Sequence, residues 1–107
     1  MVTYRNELYL GESINEKKLN KIKRNIKQGR GRFDLYIISL SNNEHNQLDI
    51  FHNAMFKQKL YRKFEHRIVG LASSYDEALV VVQGILDETM LSTGKPDMKA
   101  YLLKNFI

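Results

Sequence analysis

The chain has 107 residues, 43% of them hydrophobic and 27% charged, which is ordinary for one globular domain over residues 1–107. It contains no cysteine, so a disulfide framework, a thiol nucleophile and a thiolate metal site are excluded. Seventeen Lys and Arg against twelve Asp and Glu leave a net charge of +5, which points to an anionic partner only where the excess gathers on one face.

The elements follow in chain order. Tyr4 to Leu10, with Leu8-Tyr9-Leu10 ended by Gly11, reads as a first strand. Ser13 followed three residues later by Glu16 has the pattern of a capping box and predicts a helix over 15–28. Its apolar Leu19, Ile22 and Ile26 share one face, and Gly29 suits the left-handed residue that closes a helix. Phe33 to Leu40 is rich in aromatic and β-branched residues and predicts a strand. The polar run Ser41 to Asn46 is a loop, and Leu48 to Phe51 is the hairpin partner. Residues 54 to 63 predict a short helix with Phe56 and Leu60 inward. Arg67 to Ala72 is nearly all apolar, which suits a central strand covered on both faces.

A second capping pattern, Ser74 to Glu77, opens a helix over 75–91, with Asp76 and Glu77 in the turn where the helix dipole favours acids. Pro96 suits the first position of a last helix, whose Tyr101, Leu102 and Phe106 dock back on the core. The order β-α-β-β-α-β-α-α predicts an α+β fold. It is a two-layer sandwich of a small mixed sheet with helices packed on it, a ferredoxin-like arrangement being one version.

Between Lys17 and Arg32 stand eight basic residues and no acid. Lys17, Lys21 and Arg24 share a helix face, and Lys27, Arg30 and Arg32 extend the field. These six are the candidate residues for binding nucleic acid or another polyanion. The competing explanation is a solvated surface helix, since lysine is common there and late cations suit the dipole. A second basic run, Lys57 to Arg67, interleaves with Phe56, Tyr61 and Phe64. Basic and aromatic residues together hold a backbone and stack a base, but four-residue spacing also makes Phe56, Leu60 and Phe64 a core stripe. Whether the two basic runs share one face is a question for the structure.

Other chemistry finds little support. The glycines of Gly29-Arg30-Gly31-Arg32 follow a helix instead of opening one, the reverse of a phosphate loop. His45, His52 and His66 lack the spacing of a helical metal pair, so no metal is assigned. No nucleophile elbow, Walker loop or dinucleotide fingerprint occurs, and no cofactor is assigned. The Ser73-Ser74 junction of strand and helix is a place where α/β folds host ligands.

The apolar residues of helix 75–91 form two adjacent stripes, wider than a surface helix needs. The last helix or a second copy of the chain would cover the surplus. The charged start and short apolar runs argue against a signal peptide or membrane span, and the missing disulfides favour the cytoplasm.

Three functional readings follow, in order. The first is a non-enzymatic protein-interaction or regulatory module, homodimeric through helix 75–91. The second is a nucleic-acid or phosphate-binding protein using helix 15–28 and residues 30–32. The third is an enzyme whose site is assembled from dispersed residues.

Leu8 to Ile14, Lys21-Ile22-Lys23, and Ile68 to Ala72 followed by Glu77-Ala78-Leu79 resemble a family of small uncharacterised bacterial proteins over most of the chain. The resemblance implies a bacterial cytosolic origin and carries no activity, cofactor or site residue onto this sequence.

Overall fold

A computed structural model describes residues 2–29 and 34–104. Arg30, Arg32 and Phe106 lie outside the described residues. Among the described residues four strands form one mixed sheet in the order β1-β4-β2-β3. They are β1 (Val2–Leu10), β2 (Tyr36–Leu40), β3 (Leu48–His52) and β4 (His66–Ala72). β1 runs parallel to β4, while β2 is antiparallel to both β4 and β3. The adjacent parallel pair rules out the ferredoxin-like version, in which neighbouring strands run antiparallel.

The helices are α1 (Leu19–Lys27), α2 (Lys59–Lys63), α3 (Tyr75–Thr93) and α4 (Met98–Leu103). The α+β class, the mixed sheet and the helices packed on it are as expected from the sequence. Helices lie on both faces, which adds a third layer to the expected sandwich. The cause is visible in the central strands. Successive residues Ile37 and Ile38 on β2, and Ile68 and Val69 on β4, are all fully buried but belong to opposite faces. A strand apolar on both sides needs a cover on each. On one face Ile22 and Ile26 of α1 pack with Ile37, Phe56 and Ile68. On the other, Ala78 and Ile85 of α3 and Leu102 of α4 pack with Ile38 and Val69.

Local signals were redirected in three places. The Ser13–Glu16 box does not form. Asn15 is the cap, accepting from the Lys17 amide at 3.0 Å, and a 3₁₀ turn over Glu16–Lys18 precedes α1. Ser13 is instead held by Glu77. The predicted helix 54–63 divides into a 3₁₀ segment, Asn53–Lys57, and the short α2. Phe56 is fully buried there, but Leu60 is 67% exposed and Phe64 52% exposed, so the expected inward stripe ends at Phe56. Pro96 stands just before Asp97, the residue that caps α4 by accepting from the Ala100 amide.

Other signals fold as read. Gly29 and Gly94 both take the left-handed conformation, and the Gly94 amide closes α3 on the Met90 carbonyl. Ser74 caps α3 through the Glu77 amide at 3.0 Å. No helix among the described residues is long and apolar enough to cross a membrane.

Candidate functional site

The basic residues of the two runs converge. Lys23, Arg24 and Lys27 of α1 and Arg62 of α2 line one hollow of about 650 Å³, with Tyr4 of β1 and Phe56 in its wall. The convergence has a structural cause. The segment from β3 to β4 crosses the same sheet face that α1 covers, and its Phe56 joins the α1 core. The Arg62 guanidinium then lies against Gly29, at the end of α1, where a side chain would collide with it.

Arg24 and Lys27 are exposed on α1, while Lys23 is half-buried with its ammonium 4.8 Å from the centre of the Tyr4 ring. No acidic residue is among the described lining residues of this hollow. The Tyr4 hydroxyl is buried and has no hydrogen-bond partner among the described residues. Burial pushes its pKa up to about 12, so the phenol stays a neutral donor.

Lys17 and Lys21 are also exposed, on the earlier turns. Lys21 lines a separate shallow hollow with Lys18 on the other flank of α1. The candidate residues thus fall into two sets. Arg24 and Lys27 belong to the groove, and Lys17 and Lys21 carry positive charge around the helix away from it. Lys23 and Arg62 are groove residues that the sequence reading did not place among its candidates. Lys23 sits on the flank of the helix that turns towards β1, and Arg62 reaches the groove only through the chain crossing.

Two of the three aromatic residues of the second run, Phe56 and Tyr61, are engaged in packing, while Phe64 is exposed and lies outside the lining of the groove. Phe56 is fully buried, and Tyr61 lies face to face with the buried His66 ring at 4.8 Å between centroids. The His66 Nε2 lies 2.8 Å from the Tyr61 carbonyl. His52 accepts from the Ala54 amide through Nδ1, and His45 stands exposed in the 41–47 loop. Among the described residues no three His, Asp or Glu side chains gather as a metal site.

The opposite sheet face carries a second constellation, where β1 breaks register. Tyr4 pairs with Ile68 and Tyr9 with Gly70, so Arg5, Asn6, Glu7 and Leu8 stand opposite Val69 alone. The bulge turns Arg5 inwards, where it is only 7% exposed. Its Nη1 donates to the Glu7 carbonyl at 2.7 Å and its guanidinium stacks 5.0 Å over the Tyr9 ring. Its Nε has no partner among the described residues. Nearby, the Glu88 carboxylate of α3 accepts from the Tyr9 hydroxyl and from the Tyr101 hydroxyl, the latter at 3.0 Å. Burial and the Glu88 hydrogen bond both push the Tyr9 phenol up, so it remains protonated and donating.

At the ends of β1 and β4, the Glu77 carboxylate accepts from the Ser13 hydroxyl and from the Ser73 amide at 2.8 Å. The Ser73-Ser74 junction is therefore occupied by protein groups. The chain matches no protein-family model, no curated protein and no solved structure, so the assignment rests on this geometry.

Proposed function

We propose that this protein binds the phosphate backbone of nucleic acid through the groove between α1, β1 and α2. The observation that carries this reading is the meeting of Lys23, Arg24, Lys27 and Arg62 in one hollow from two basic runs far apart in sequence. Cations gathered on a concave surface concentrate the field and attract a polyanion, releasing its counterions on binding. Lys17 and Lys21 extend the positive surface around α1, and Arg30 and Arg32 follow the same helix in the chain. The dipole at the end of α1 accounts for cations in its last turn alone; Lys17, Lys21 and Lys23 stand outside that turn. A phosphate oxygen reaching the Tyr4 hydroxyl would also relieve a buried unpaired donor, whose cost is about 1–3 kcal/mol. With Phe56 and Tyr61 engaged in the core, the groove reads charge and not base identity.

The test is fluorescence anisotropy with labelled single-stranded DNA and RNA at low and near-physiological salt. Neutralising four phosphates gives a slope of about −3 for log affinity against log salt. The double variant Arg24→Gln/Lys27→Gln is expected to reduce that slope by about 1.4. The triple variant Lys17→Gln/Lys21→Gln/Arg24→Gln is expected to keep its melting temperature, because all three side chains are exposed. Absence of binding at low salt, or binding indifferent to the groove substitutions, overturns the reading.

A second reading, self-association in the cytoplasm, is favoured by one observation. Leu79, Val80, Met90 and Leu91 of α3 remain exposed after α4 has docked. Sedimentation of Leu79→Glu against the native chain decides it: a dimer that the substitution dissolves supports self-association, and a native monomer removes it.

A further inference from the structure

We infer that the sheet face opposite the basic groove holds a small zwitterion, an α-amino acid with an apolar side chain, between Arg5 and Glu88. The site is separate from the proposed nucleic-acid groove: Tyr4 faces one core and its neighbour Arg5 the other hollow.

Three observations carry it. First, Arg5 and Glu88 line one hollow of about 350 Å³ together with the hydroxyl-bearing Tyr9 and Tyr101 and a second acid, the exposed Glu7. Arg5 makes no ion pair with a carboxylate among the described residues. A buried guanidinium is costly unless its charge and donors are matched, and this one keeps an Nε without a partner among the described residues. Opposite charges that share a hollow without joining leave room for a group carrying both. A carboxylate meets the planar guanidinium, and an ammonium meets Glu88.

Second, the Tyr9–Glu88 pair also borders an adjoining groove of about 600 Å³ between β1 and α3, whose wall joins the apolar Leu10, Val80 and Val81 to the acids Glu12, Asp76 and Glu77. That groove is where an apolar side chain would lie.

Third, Gly84 stands in the middle of the 19-residue α3, on the wall of that groove. A glycine there costs about 1 kcal/mol of helix stability relative to alanine. No packing demands it, since a Cβ at this position would meet nothing within 4 Å. What the missing side chain preserves is open space in the groove.

The test is titration of the full chain with L-leucine, followed by calorimetry and by amide and arginine Nε–H resonances. The comparison ligands are 4-methylpentanoate, which lacks the ammonium, and isopentylamine, which lacks the carboxylate. L-Leucine is expected to bind saturably and to shift the Arg5 Nε–H. Each truncated ligand is expected to bind roughly tenfold or more weakly, the loss of one charged contact. Gly84→Leu fills the groove from an exposed helix position, so it is expected to abolish binding while the melting temperature holds or rises. Arg5→Lys is expected to weaken binding by roughly tenfold or more, because an ammonium lacks the planar fork. If Arg5→Lys does not fold, Gly84→Leu decides alone. No saturable shift with millimolar L-leucine, equal binding of all three ligands, or undiminished binding by Gly84→Leu overturns the proposal. Loss of nucleic-acid binding in the groove variants leaves this result unaffected, so the two sites are judged separately.

Discussion

The Ser13 hydroxyl lies 2.7 and 2.8 Å from the two oxygens of the Glu77 carboxylate, across 64 residues of sequence. The carboxylate also accepts from the Ser73 amide, so one acidic side chain ties the loop after β1 to the start of α3. These hydrogen bonds favour the ionised form and hold the Glu77 carboxyl below its ordinary value of 4.5. A depressed folded-state pKa contributes stability above the unfolded value, and that contribution is lost as the pH falls through the folded value. Glu77→Gln is therefore expected to lower stability at neutral pH by up to about 1 kcal/mol, solvent screening limiting the effect at so open a site. The gap between native and variant melting temperatures is expected to close below pH 4.5. An equal gap at pH 7 and pH 3 would mean that the strap does not act through the carboxylate charge.

Gly11 reports on the same strap by a different route. A Cβ at this buried position runs into the Glu77 carboxylate. Gly11→Ala thus displaces the acceptor of Ser13 without removing any hydrogen-bonding group. Chemical denaturation is expected to show a loss of about 1 kcal/mol in the native background and little loss in a Glu77→Ala background. Equal losses in both would place the cost in the Gly11 backbone and not in the contact.

Most of the fold was legible because its signals are local or nearly so. The run Ile68 to Ala72 announced a strand buried on both sides, and Ser74 with Glu77 announced the start of α3. At the start of the first helix the local signal was misleading because a distant residue outbids a near one. Ser13 and Glu16 have the spacing of a capping box, but Glu77 takes the Ser13 hydroxyl and Asn15 becomes the cap. The candidate groove was half legible. The charge on α1 is plain in the sequence, whereas the arrival of Arg62 beside Gly29 depends on how the chain crosses from β3 to β4. Glu88 carried no pattern, and Arg5 only a faint one. The polar Arg5-Asn6-Glu7 interrupts an otherwise apolar strand, and that interruption is the trace the bulge leaves in the sequence.

Phe56 and Leu60 are one helical turn apart by number, and regular spacing would bury both. The chain does not continue as one helix. The 3₁₀ segment ends at Lys57, and Gln58 takes an extended conformation before α2 begins. That break rotates Leu60 into solvent, while Phe56 stays in the core with edge-on contacts to Phe51, Tyr61 and His66. Phe56→Ala is expected to cost about 3–5 kcal/mol, the usual loss for deleting a fully buried aromatic ring. Leu60→Ala is expected to change stability by less than about 0.5 kcal/mol, as at other exposed positions. Urea denaturation of the two variants separates the alternatives. A Leu60→Ala cost comparable to that of Phe56→Ala would show that residues 54–63 form one continuous helix with both side chains inward.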